Sequence, residues 1–327
     1  MVEGPADDVE LTWVCGRLRL SSCTHARHRP AGLNWRMAKG ATAELIAAST
    51  VFLSRDPRLA HVLPTGAATL SERFLDAAAP SRLRLVRQLA RPGLRGVVNA
   101  AERAILPGIQ LHYAARKRFI EDAVRMFLSS GGARVVVLGA GLDTLATRLA
   151  GEHRGVDFVE IDHPGVQDRK RRGLADVGAD NLSLHPADLA VGGLPGLKPG
   201  TATFFVLEGV TMYLDEAAVA ATLGASAEAG GPGSRIAWTF LAPDERGRIG
   251  FRRSRRSLVD AWLRIRREPF TWGIDAARIP AFVEPLGLRA AQIVGTEELR
   301  ARYLAPAGIA DAPAEGEEIC VCEVTDA

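Results

Sequence analysis

Apolar positions along this chain follow two different periods. From Thr42 to Phe52 and from Ile109 to Ser129 they recur at helical spacing, with a proline-punctuated middle that begins at Asp56-Pro57. From residue 133 the pattern changes to short apolar runs separated by helix-like segments. Val135-Val-Val-Leu138, Val159-Glu-Ile-Asp162, a third run ending at Pro186-Ala-Asp-Leu189, Thr203-Phe-Phe-Val-Leu207 and Ser234-Arg-Ile-Ala-Trp-Thr-Phe240 read as strands. Strands alternating with helices over residues 133 to 242 predict a parallel, doubly wound sheet. A helix around Ile279 to Leu286 and two late strands, near Leu288 to Val294 and at Ile319 to Val324, complete a seven-stranded α/β sheet.

Three regions follow from this pattern: residues 1 to 36, polar and irregular, as a disordered tail; residues 37 to 130 as a helical cover that opens at Met37; and residues 131 to 327 as the core. An arginine-rich insertion at about 243 to 275 falls between strand five and the last pair, where it can act as a lid over the strand ends.

The ends of the first four strands carry the chemistry. Gly139-Ala140-Gly141 lets the backbone pass close to a ligand before a helix begins at about Thr144, and free N–H groups at a helix start suit a polar ligand. Asp162 ends the second strand 21 positions after Gly141 (162 − 141), where an open α/β sheet places an acid to accept ribose hydroxyls. Asp188-Leu189 and Glu208-Gly209 follow the third and fourth strands, so the four ends outline one nucleoside-shaped crevice. A dinucleotide-binding fold wants a third glycine three positions after Gly141, and Thr144 stands there. With Asp143-Thr144 at the helix start, Asp162 for the ribose, and Asp188 with Leu189 for the adenine, the pattern favours S-adenosylmethionine. An NAD(P)-dependent oxidoreductase stays as the alternative, as does a cofactor-binding protein that no longer methylates.

Composition narrows the setting. At 327 residues, 47% hydrophobic and 24% charged, the chain suits one globular domain with additions. A net charge of +3 is too small to argue for nucleic acid. The arginine run Arg246, Arg248, Arg252, Arg253, Arg255, Arg256, Arg264, Arg266 and Arg267 is interleaved with Leu258, Trp262 and Ile265, which suits a solvated helix face. No apolar run reaches the roughly 18 residues of a membrane span. Cys15, Cys23, Cys320 and Cys322 form no disulfide framework, and a cytoplasmic setting follows. Cys15, Cys23, His25 and His28 match no common structural zinc spacing, so no metal is expected.

Several ordered blocks are similar to one family. They are His112-Tyr-Ala-Ala-Arg-Lys-Arg-Phe-Ile-Glu-Asp122, Val137-Leu-Gly-Ala-Gly-Leu-Asp-Thr144, Val159-Glu-Ile-Asp-His-Pro164 with Gln167 and Lys170, Ala187-Asp-Leu189, and Leu207-Glu-Gly-Val-Thr-Met-Tyr-Leu214. Together with Glu268-Pro-Phe-Thr-Trp-Gly-Ile-Asp275 and Glu297-Glu-Leu-Arg-Ala-Arg-Tyr-Leu304, they resemble the leucine carboxyl methyltransferase family, in its bacterial branch that includes polyketide carboxyl methyltransferases. The resemblance implies a class I S-adenosylmethionine-dependent O-methyltransferase with a Rossmann-like sheet. It makes Arg116 the partner of the cofactor carboxylate, with Arg118 second, and sets His163 in the cofactor site and Glu208 near the methionine amino group. Relatives often carry a Lys or Arg in the first helix for the same carboxylate, whereas this chain reads Ala47-Ala-Ser-Thr-Val-Phe52.

Methyl transfer from a sulfonium asks the protein to align an oxygen with the methyl carbon and to keep water out. His112, Tyr113, Thr211 and Tyr213 lie on segments expected to border the pocket of a small-molecule acceptor, with Trp272 in the lid. None stands out as a base, which favours a carboxylate acceptor, already ionised at neutral pH, over a phenol.

Overall fold

The structure is a computed structural model that describes residues 41–191, 194–266 and 268–325. The expected tail, the Met37 start and the Cys15, Cys23, His25 and His28 set lie outside the described residues. Five helices come first: α1 (Ala41–Ser54), α2 (Ala67–Ala78), α3 (Pro80–Leu89), α4 (Pro92–Ile105) and α5 (Ile109–Ser129). Pro80 and Pro92 stand in the first turns of α3 and α4, where the missing N–H costs nothing and the fixed φ favours the helix.

Beyond α5 the chain alternates: β1 (Arg134–Leu138), α6 (Leu145–Glu152), β2 (Asp157–Asp162), α7 (Pro164–Leu174), β3 (Leu182–Pro186), β4 (Thr203–Leu207), α8 (Glu216–Ala229) and β5 (Arg235–Leu241). After α9 (Arg256–Arg266) and the short α10 (Ile279–Val283) come β6 (Leu288–Val294) and β7 (Glu317–Val324). The sheet has the order β3-β2-β1-β4-β5-β7-β6, parallel from β1 to β5, with β7 antiparallel to both β5 and β6. This is the doubly wound, seven-stranded sheet expected from the sequence.

β1 shows why the sheet must be covered on both faces. Val135 and Val137 pack into one core with α5 and α6, while Val136 and Leu138 pack into another with α8 and Trp238. Three boundaries differ from expectation. β3 stops at Pro186, so Asp188 and Leu189 lie just past it, in a turn. The helix expected over Ile279 to Leu286 breaks after Val283 into a short 3-10 turn, because Pro285 has no N–H to continue the ladder. β7 begins at Glu317, two residues before Ile319 (319 − 317), and pairs Glu317 with Leu241 of β5.

Candidate active site

The carboxyl ends of β1 to β4 open onto a cavity of about 330 Å³ at the point where the strand order reverses. The glycine loop after β1 forms its floor. Gly139 (φ +67) and Gly141 (φ +53) take left-handed backbone, and a Cβ on Gly139 would lie 2.4 Å from Val210 Cγ2. Asp162 spans the loop: its two carboxylate oxygens accept from the Gly141 and His163 backbone N–H groups, each at 2.5 Å. Burial raises its pKa above the ordinary carboxylate range. Asp143, one residue ahead of the α6 N-cap Thr144, accepts from Leu145 N at 2.7 Å and pairs with Lys117. Below the loop, the buried Lys170 of α7 donates to the Asp143 carbonyl at 2.5 Å and pairs with the buried Glu160 of β2 at 2.6 Å.

An ion cluster closes one side of this cavity. Arg116 of α5, 1% exposed, donates from Nε to Glu208 Oε1 at 2.9 Å and from Nη1 to Glu317 Oε2 at 2.5 Å. Lys117 lies 3.1 Å from Glu208 and also pairs with Asp143. His112 Nε2 stands 2.9 Å from Glu317 Oε2. Burial pushes the Glu317 carboxyl up, but Arg116 and His112 outweigh it and hold the group down at about 2. For Asp143 burial is again outweighed, here by Lys117 and Lys170, and its carboxyl lies well below the usual range.

A second cavity, of about 390 Å³, lies on the other side of Arg116. Its wall is largely apolar: Ile105 and Leu106 from the end of α4, Met212, Phe251, Phe270, and Val259 and Trp262 of α9. The polar groups on it are Thr42, Tyr113, Tyr213, Arg116 and Glu317. Burial raises the phenol pKa of both tyrosines. Thr42, Ile46, Arg116, Gly209 and Tyr213 line both cavities.

Comparison with known proteins identifies the family and the fold. The family model described as leucine carboxyl methyltransferase matches residues 66–227. A protein of Mycobacterium sp. (strain JLS), named as an S-adenosyl-L-methionine-dependent methyltransferase, is 32% identical over 243 residues, covering 71% of this chain and 75% of its own. The chain belongs to the leucine carboxyl methyltransferase family. It is an S-adenosylmethionine-dependent methyltransferase, and the dinucleotide alternative falls. A similarly named protein of Mycobacterium sp. (strain KMS) is 31% identical over 242 residues, covering 70% of this chain and 75% of its own. A methyltransferase crystal structure from Thermobifida fusca YX shares the fold, with a TM-score of 0.51 and 18% identity over 83% of this chain and 98% of that one.

In this methyltransferase the first cavity gathers Arg116, Gly139, Ala140, Gly141, Asp143, Thr144, Asp162, His163, Asp188, Leu189, Glu208 and Gly209. Arg118 is not brought there. It lies two helix positions from Arg116, on another face of α5, beside His61 and Pro64, with Asp122 4.0 Å away. Tyr113 and Tyr213 reach the second cavity, but three other residues expected on it do not line it. His112, 0% exposed, stands behind Glu317. Thr211 is buried and donates to the Thr239 carbonyl. Trp272 packs in the core, stacked on Trp238 with centroids 6.2 Å apart and donating to Glu216 at 3.2 Å. The aromatic residue that α9 does present is Trp262. Sequence reading also missed Lys117 and Glu317. Lys117 sits inside the family-like block His112 to Asp122, next to Arg116, which is a signal that could have found it.

Among the described residues no helix is long and apolar enough to cross a membrane. Three arginines of the 243 to 275 segment are ion-paired: Arg248 and Arg256 meet Asp244, and Arg253 meets Glu315.

Proposed function

We propose that this methyltransferase transfers a methyl group to an oxygen of a small, partly apolar molecule held in the second cavity, with the cofactor in the first. The observation that carries the reading is the shared wall: five residues line both cavities, so a donor in one and an acceptor in the other meet beside Arg116, Gly209 and Tyr213. When bound, S-adenosylmethionine supplies an electrophilic methyl group on a sulfonium.

The chain's residues fit that cofactor. Asp162 keeps lone pairs for the ribose hydroxyls while two backbone N–H groups orient it. Asp188 serves the adenine amino group and Leu189 packs on the ring. The glycine loop admits the methionine part without a side chain in its way. Glu208 and Arg116, now paired with each other, separate to take the ammonium and carboxylate of an amino acid, so each buried charge exchanges one partner for another. Lys117 provides the second cation that α1 lacks. α9, with Trp262, covers the acceptor and excludes water. The buried thiols Cys320 and Cys322, unbridged, are in keeping with a cytoplasmic protein.

A carboxylate, favoured by the sequence, and a hydroxyl both satisfy this reading. Product analysis with methyl-labelled cofactor tests it. Label is expected on oxygen, and label on nitrogen or carbon overturns it. Mild base then cleaves a methyl ester and spares an ether.

A further inference from the structure

The second cavity differs between its inner and outer parts. Its charged groups gather on Arg116, which is fully buried: Glu317 accepts from the guanidinium at 2.5 Å, and the Tyr113 ring centroid lies 5.0 Å from its central carbon. Among the described residues on the wall, the three that are exposed are all aliphatic. They are Leu45 of α1 at 38%, Ile105 of α4 at 38% and Leu258 of α9 at 50%. Arg255 N donates to the Ile105 carbonyl at 2.7 Å, which ties the end of α4 to the start of α9 at this opening.

Single exposed leucines are ordinary on a protein surface. Three aliphatic side chains from three separate helices, converging on one mouth, make a continuous apolar rim. The rim also extends outward. Val97 precedes Ile105 on α4 by eight positions (105 − 97), and Ile265 follows Leu258 and Trp262 on α9 at helical spacing; both are exposed. A cavity that enclosed a compact acceptor would be expected to end in polar groups that water can wet. Here an acceptor that stops inside leaves the rim against water, whereas a hydrocarbon chain that runs on covers it. A chain in the mouth also completes the exclusion of water around the reacting oxygen.

Resting on the two-cavity reading above, we propose that the acceptor is an amphiphile with a long hydrocarbon tail. Its oxygen-bearing head lies beside Arg116, and its tail runs along the second cavity and out between α4 and α9 over Leu45, Ile105 and Leu258. Chain length is then a determinant of specificity, and it is read at the rim rather than at the reacting end.

A series of probes that differ only in length tests this by binding. Full-length protein saturated with S-adenosylhomocysteine is titrated by calorimetry at neutral pH with n-alkanoates from butanoate to decanoate, each below its micelle concentration. A fully buried methylene contributes about 0.8 kcal/mol, roughly fourfold in affinity. Decanoate, four methylenes longer than hexanoate, is therefore expected to bind at least tenfold tighter, at one molecule per protein. Affinity that levels off at hexanoate overturns the proposal and points to a mouth filled by another part of the chain. Failure of every length to bind overturns it too, as does uptake of decanoate at many molecules per protein. Leu258→Asn places an amide on the rim without adding charge, and it should cut the decanoate-to-hexanoate ratio at least threefold. An unchanged ratio in the folded variant counts against the proposed path. The two readings fail separately: loss of S-adenosylhomocysteine binding, or label on carbon or nitrogen, sinks the O-methyltransferase reading, whereas indifference to chain length sinks only this one.

Discussion

Arg116 Nη1 lies 2.5 Å from Glu317 Oε2, tying the middle of α5 to the first residue of β7 across 201 sequence positions. Both side chains are buried, and each is the other's charge partner on the wall of the second cavity. The pair therefore couples the stability of the sheet to the integrity of the binding cluster.

This coupling has a pH dependence with a definite sign. The folded-state value of Glu317, about 2, lies below the ordinary 4.5. Its contribution is thus full above about 4.5 and is lost as pH falls toward 2. The shift corresponds to about 3 kcal/mol. Thermal melts from pH 6 down to pH 2.5 should show the wild type losing more stability than Glu317→Gln. Parallel curves for the two proteins would contradict the assignment.

Asp162 holds the glycine loop through two backbone N–H groups. Asp162→Ala is expected to weaken S-adenosylhomocysteine binding by more than tenfold, because a charged acceptor for the ribose and the loop's brace are both lost. Calorimetry reads this directly. Asp162→Asn, with one acceptor oxygen left, should fall between the two.

The Glu160–Lys170 pair lies under the loop, fully buried, and burial raises Glu160 even with the ammonium beside it. Lys170→Met should cost about 3–5 kcal/mol in urea unfolding, since it strands a carboxylate. Adding Glu160→Gln to Lys170→Met should recover a large part of that loss. Two simply additive losses would show that the pair is not coupled.

The two tryptophans of the 243 to 275 segment should separate cleanly. Trp272→Ala, in the core beside Trp238, is expected to lower stability by about 3–5 kcal/mol. Trp262→Ala, on the wall of the second cavity, should leave the melting temperature within a few degrees and raise KM for the acceptor more than it changes cofactor affinity. The opposite outcome would return Trp272 to the lid.

The lining of the first cavity was legible in the sequence because strand ends are local. An apolar run that stops at Gly-x-Gly or at an acid marks a position on the sheet rim, whatever the rest of the chain does. The second cavity was not legible, because it is assembled from distant pieces. Glu317 joins Arg116 and His112 from the far end of the chain, and one acid among Glu315, Glu317 and Glu318 before Ile319 reads as the end of a loop. Trp262 and Trp272 both lie in a segment with mixed spacing, and only tertiary packing decides which one turns inward. Arg118 failed for a related reason: two positions along a helix turn a side chain to another face, so a repeated residue type in a matched block did not mean a shared site.

β7 is the latest of the strands in chain order, yet it lies inside the sheet, between β5 and β6, and among the described residues β6 pairs with no other strand. The eight residues of β7 therefore hold β6 to the sheet and cover the edge of β5, and their first residue, Glu317, is one of the two carboxylates on Arg116. During synthesis the first five strands can assemble while Arg116 still lacks one of its two carboxylates. A protease cut before residue 317 would unseat two strands and expose the edge of β5 at the same time. The first cavity, lined by residues 42 to 271, is thus complete in sequence before β7 is made, whereas the second waits for Glu317.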